Sequence, residues 1–173
     1  MTQLDDEVDR PDTARKREYV RLLNAKNFAL ARPALEEAVH DGDSQAMGML
    51  GALYMLGQGV QRDAMSAFKL FQRGAKLGDP ASQTAMGLCL CSGRGADPDF
   101  SLAAFWLYRA ARQKYAQAVG VLGWLVETKP EVVGEHFSMD DVCQVLEDWR
   151  RAKVAAQHQS LFESMTSPQG TMH

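Results

Sequence analysis

A shift of 36 residues superimposes this chain on itself, and the glycines coincide. Gly42 falls on Gly78, Gly51 on Gly87, Gly57 on Gly93 and Gly59 on Gly95. Asp43 pairs with Asp79, Asp63 with Asp99, Ala67 with Ala103, Arg73 with Arg109 and Ala75 with Ala111, giving nine identities between 42–77 and 78–113 without a gap. A third copy starts at Lys114, where Ala118 matches Ala46, Leu122 matches Leu50, and Gly123 matches Gly51 and Gly87. A fixed period of this length marks a stacked array in which each unit buries its apolar face against its neighbours.

Each unit reads as two helices. The first is predicted over about Asp43 to Leu56, with Ala46, Leu50 and Tyr54 at helical spacing. A glycine inside a helix costs about 1 kcal/mol relative to alanine, so Gly51, Gly87 and Gly123 are assigned to places where a neighbouring helix comes close. Gly57 suits the left-handed residue that ends a helix, and Gly59 lets the chain reverse. The second helix is predicted over about Ala64 to Leu77, with Ala67, Leu70, Phe71 and Ala75 pointing inward. Gly78 and Pro80 then end it and start the next helix.

The segments LGALYMLGQGVQRDAMSAFKLFQRGAKLGD and MGLCLCSGRGADPDFSLAAFWLYRAARQKY resemble Sel-1-like repeats, relatives of the tetratricopeptide repeat. The family pattern runs roughly LG-x-x-Y-x-x-G-x-G-V, then an acidic residue and an Ala-rich helix. Leu50, Gly51, Tyr54, Gly57, Gly59 and Val60 match it in full. The second copy keeps Gly87, Gly93, Gly95, Ala110 and Ala111, with Leu90 in place of Tyr and Ala96 in place of Val. The third keeps Leu122 and Gly123 but has Lys129 and Glu131 at the two loop glycines. The resemblance implies an all-α fold, a right-handed α-solenoid of stacked two-helix repeats with a long C-terminal capping helix.

The flanks extend the array. Tyr19 to Gly42 reads as a preceding helical hairpin. Ser138 and Asp141 read as the capped start of a last helix. Met139, Val142, Cys143 and Leu146 lie one period after Ala103, Trp106, Leu107 and Ala110, which predicts the same inward face. The expected organisation is a disordered acidic tail over 1–14 and a single repeat domain over 15–165. That domain divides into a hairpin at 15–41, repeats at 42–77 and 78–113, and a divergent third repeat with the final helix at 114–165. Residues 166–173 form a second disordered tail.

No catalytic motif is present. The paired loop glycines lack the third glycine and preceding strand of a dinucleotide site, and no P-loop, G-x-S-x-G or H-E-x-x-H occurs. Cys89 and Cys91, two residues apart on a helix, point to different sides and are read as packing thiols rather than metal ligands. The four histidines are scattered and read as surface or helix-end residues, so no cofactor and no metal are expected. The net charge of −3 and pI of about 5.8 argue against a general nucleic-acid or anionic-membrane binder, although they allow a local basic patch. No run of 18 apolar residues occurs and the N-terminus lacks the pattern of a signal peptide. Three cysteines suit a reducing compartment, and the expectation is cytoplasmic.

First helices of such repeats line a concave side. The resemblance places there Gly48, Ala52, Met55 and Leu56 of the first copy, Thr84, Leu88, Cys91 and Ser92 of the second, and Gly120, Trp124, Glu127 and Thr128 of the third. Trp106 falls on Leu70 and reads as core, and Trp149 is expected to cover the end of the stack. Trp124 stands one step off the packing stripe of Leu122 and Val126. The expected partner-binding residues are Met55, Leu56, Leu88, Cys91, Trp124 and Glu127. Either a protein partner or the chain's own termini could fill this groove. The resemblance implies a non-catalytic adaptor, chaperone-like protein or regulatory scaffold, bacterial and linked to a secretion system. The alternative is an inhibitor or immunity protein that blocks a toxin or enzyme through its surface.

Overall fold

A computed structural model describes residues 11–133 and 137–166, with side chains at 13–133 and 137–154. Its helices are α1 (Pro11–Asn24), α2 (Phe28–His40), α3 (Ser44–Leu56), α4 (Ala64–Lys76), α5 (Pro80–Ser92), α6 (Phe100–Arg112), α7 (Ala116–Thr128) and α8 (Met139–Thr166), with a 3₁₀ turn at Pro130–Val132. Among the described residues there is no strand. Residues 11–14 lie in α1, so the tail expected over 1–14 cannot extend past residue 10. Residues 1–10 and 167–173 lie outside the described part.

The four central helices begin at the same device. Asp43 accepts hydrogen bonds from the backbone N–H of Gln45 and Ala46, and Asp63 from those of Met65 and Ser66. Asp79 accepts from Ser82 N–H and Asp99 from Leu102 N–H. Each such cap contributes about 0.5–2 kcal/mol by satisfying donors the helix itself leaves free. The first helices end at left-handed glycines, Gly57 at φ 71° and Gly93 at φ 68°.

Successive helices pack as antiparallel neighbours. In addition α3 packs on α5 and α5 on α7, so the first helices form one continuous layer, and the second helices α4 and α6 pack against it. The mid-helix glycines show why the layers sit so close. A Cβ on Gly51 would lie 2.6 Å from Phe71 Cε1, and one on Gly87 would lie 2.7 Å from Leu107 Cγ. Phe71 and Leu107 are one period apart and both are buried. The second loop glycine joins adjacent units: a Cβ on Gly59 would meet Ala29 N at 2.6 Å, and one on Gly95 would meet Ala64 O at 2.1 Å.

The third unit departs from this plan. Gly123 has only Leu146 Cδ2 near its missing side chain, at 3.7 Å, an ordinary contact, so the close approach expected there is absent. Lys129 ends α7 at φ −142° rather than in the left-handed region, and Pro130–Val132 forms a 3₁₀ turn in place of the glycine loop. The connection grows from seven residues (57–63 and 93–99) to ten (129–138). Helix α8 therefore starts late and turned about its axis. Val142 is buried and Val145, Leu146 and Trp149 pack against the core, but Met139 and Cys143, expected to face inward, are exposed. Ser138 and Asp141 do form the expected reciprocal cap: Asp141 N–H donates to Ser138 Oγ at 3.1 Å and Ser138 N–H to Asp141 Oδ2 at 2.9 Å. Phe137 fills the rebuilt junction, stacked on Tyr108 with ring centroids 4.6 Å apart.

Candidate partner-binding face

The layer of α3, α5 and α7 carries very little charge. Its three 13-residue helices contain one ionisable acid or base among Asp, Glu, Lys and Arg, namely Glu127. Ala52, Leu88 and Trp124 share one repeat position, so their side chains neighbour one another across the stacked helices and grow in size along it. Leu88 is 38% exposed, Trp124 56% and Leu56 64%. Burial of such side chains would release about 1.5–3 kcal/mol each.

The other expected residues divide. Met55 and Cys91, again one period apart, are half-buried and pack against the central core. Glu127, at the same repeat position, is exposed. Thr84, expected to line the groove, is only 1% exposed, and its Oγ1 donates to Pro80 O at 2.7 Å. Gly48 faces the neighbouring repeat: a Cβ there would meet Ser82 Oγ at 2.7 Å. Gly48 thus lies in the seam between α3 and α5, and Thr84 is closed off from solvent.

Sequence reasoning missed that seam. Ser82 is fully buried between Gly48 and Gly74. Gln83, also fully buried, donates from Nε2 to Ala75 O at 3.2 Å and accepts from Gln113 Nε2 at 2.9 Å, while Gln113 also donates to Gly78 O at 3.0 Å. These amides bridge the two central repeats. The only signal was polar residues on an apolar helix: Ser82 where the neighbouring copies have Ala46 and Ala118, and Gln83 where they have Met47 and Val119.

The thiols fit packing. Burial pushes the Cys89 thiol up to about 11, against a weaker opposite pull from Arg94, and burial also raises Cys91. A protonated thiol is a poor ligand and nucleophile. Among the described residues no three His, Cys, Asp or Glu side chains gather closely enough to hold a metal ion. Trp106 is core, 7% exposed, and Arg109 lies over its ring at 5.3 Å. Trp149 packs at the end of the stack, beside a cleft of about 490 Å³ between α6 and α8. Its wall sets Arg112 and Lys114 against Asp141 and Asp148, so its charges largely offset one another.

The Sel1 repeat family model matches residues 44–79 and 80–115. Two Sel1 repeats are found, over 72 of the 173 residues. Their frame agrees with the glycine period to within two residues, and Sel1 repeat proteins are generally non-catalytic scaffolds for protein–protein interaction. A Sel1 repeat protein from Oxalobacter formigenes is 28% identical, covers 65% of this chain and 46% of its own, and superimposes with a TM-score of 0.61. The protective antigen c5321 of uropathogenic Escherichia coli, which displays an SLR fold, is 23% identical over 84% of this chain and 30% of its own, with a TM-score of 0.67. Helicobacter pylori cysteine rich protein B is 18% identical over 66% of this chain and 99% of its own, with a TM-score of 0.51. The last two are likenesses of fold. The chain spans less than half the length of the first two proteins. No curated protein matches it in sequence. Among the described residues no helix is long and apolar enough to cross a membrane.

Proposed function

We propose that this Sel1 repeat chain is a non-catalytic binding module that holds a segment of a protein partner against its first-helix layer. Leu56, Leu88 and Trp124 serve as exposed anchors, Met55 and Cys91 as the floor between them, and Glu127 as the one charge at the edge. The observation that supports this reading is the exposed apolar line of Leu88 and Trp124 on a layer almost without charge. Such a surface suits a helix or extended segment with apolar anchors. We take its setting to be the cytoplasm, because Cys89, Cys91 and Cys143 are all unpaired.

The test is Trp124→Ala, measured for binding and stability together. Peptides selected against the intact chain, or a partner captured by it, are titrated against both proteins. Loss of a central Trp anchor costs at least about 2 kcal/mol, so affinity is expected to fall at least about 30-fold. Stability is expected to stay within about 0.5 kcal/mol, as for a surface change. A variant that melts several degrees lower and binds as before contradicts the reading and assigns Trp124 to the chain's own packing.

A further inference from the structure

The second-helix layer has the opposite character. Helices α4 and α6 contain Lys69, Arg73, Lys76, Arg109 and Arg112 and no carboxylate, in a chain whose net charge is −3. All five are exposed. Arg73 and Arg109 are one period apart, as are Lys76 and Arg112, so each pair occupies equivalent places on adjacent second helices. Cations in a last turn complement the helix dipole, but that does not require both helices to exclude acids.

Two of the cations are held in place. The Arg109 guanidinium lies 5.8 Å from the Phe105 ring centroid and 5.3 Å from that of Trp106, and Arg112 lies 6.0 Å from that of Tyr108. Among the described residues none of the five forms a salt bridge. Asp63 near Lys69 and Asp141 near Arg112 are the carboxylates felt at the two ends. Beyond the stripe the signs mix: Glu36 and Glu37 on α2 pair with Arg32 and Arg15, and Asp141, Glu147 and Asp148 on α8 stand on the same helix as Arg150, Arg151 and Lys153. The cationic surface thus spans the second helices of the two central repeats.

We infer that this face is a second docking surface, which takes a short acidic polypeptide segment laid across α4 and α6. A polyproline-II-like chain has three residues per turn and advances about 3.1 Å per residue, so carboxylates three residues apart share one face, about 9 Å apart, and can reach cations on both helices. The mixed signs on α2 and α8 confine the uniformly cationic surface to α4 and α6. In a chain of net charge −3 that favours a short acidic peptide, which meets the stripe alone, over a nucleic acid, whose phosphates run on beyond it.

The experiment titrates the full chain with a labelled 12-residue peptide carrying Glu at every third position between Gly and Ser, followed by fluorescence anisotropy at low salt. The expected result is saturable binding that weakens as salt shortens the screening length to about 10 Å or less, and that is absent when Gln replaces each Glu. The double change Arg73→Glu with Arg109→Glu is expected to weaken binding at least about tenfold, by reversing two steering charges. Lys76→Glu alone is expected to weaken it several-fold, and that variant decides the matter if circular dichroism shows the double variant to be unfolded. Trp124→Ala is expected to leave this binding unchanged, which separates it from the first-helix layer. Unaltered affinity in the folded charge-reversed variants overturns the inference. So does tighter binding of a single-stranded oligothymidylate of equal charge. Peptide binding that emerges only after Asp5→Asn, Asp6→Asn, Glu7→Gln and Asp9→Asn also overturns it, because the stripe then belongs to the chain's own N-terminal segment.

Discussion

In the first two repeats a large side chain of the second helix sits over the glycine of the first, Phe71 over Gly51 and Leu107 over Gly87. One period later that place falls to Cys143, which is exposed, and Gly123 meets only the tip of Leu146. The glycine is kept but its contact is gone. The difference lies in the connection. Gly57 and Gly93 adopt positive φ and return the chain in seven residues, whereas Lys129 remains in an ordinary conformation and the chain takes ten. Helix α8 arrives turned, with a different stripe inward. A mid-helix glycine therefore permits a close helix pair, but the loop decides whether the pair forms. The start of the third unit shows a related economy: Lys114 takes φ 62° where Gly42 and Gly78 take φ 89° and 96°.

The largest effect is expected where backbone meets backbone. Gly95→Ala places a Cβ 2.1 Å from Ala64 O at φ 80°. Left-handed strain of about 1–2 kcal/mol adds to overpacking of about 1–3 kcal/mol, so denaturant unfolding is expected to show a loss of about 2–5 kcal/mol. A neutral outcome would mean that the loop of one repeat does not rest on the helix start of the one before. A smaller contrast is chemical. Thiol labelling is expected to modify exposed Cys143 first, Cys91 more slowly and Cys89 last, since burial raises both of the latter. Protection of Cys143 equal to that of Cys89 would put α8 back in the regular phase.

The smallest effect concerns acid. Hydrogen bonds from the Ser138 side chain and backbone hold the Asp141 carboxyl below its ordinary 3.8, with Arg112 adding a weaker pull in the same direction. A folded-state value below the unfolded one means that its contribution is present above pH 3.8 and is lost as pH falls through the lower folded value. Hydrogen exchange of α8 amides is expected to quicken in that range, and Asp141→Asn to remove the change. A response that persists in Asp141→Asn would assign it elsewhere.

The architecture was legible because it rests on local rules. The period, the aspartate caps, the left-handed glycines and the helix spans all follow from residues within one turn of where they act. Exposure was legible in part: Leu56, Leu88 and Trp124 are exposed, as their place off the packing stripe predicts. Thr84 and Gly48 were misplaced because a wheel describes one helix, whereas their surroundings depend on how neighbouring helices pack. The phase of α8 was misread for the same kind of reason. Its 36-residue register with α6 is real in the sequence, but a three-residue longer connection rotates it, and no residue on the helix announces that.

The most direct test is the melting midpoint of three alanine variants, at Gly51, Gly87 and Gly123. Helix propensity alone favours each by up to about 1 kcal/mol. At Gly51 and Gly87 the new Cβ enters a filled space, against a buried ring and a buried Leu branch, and overpacking of about 1–3 kcal/mol outweighs the gain. At Gly123 the space is open enough for ordinary contact. The account therefore expects Gly51→Ala and Gly87→Ala to melt lower and Gly123→Ala to melt no lower than the parent, with about 2–4 °C for each kcal/mol in a chain of this size. A midpoint that rises for Gly51→Ala, or falls equally for all three, contradicts it.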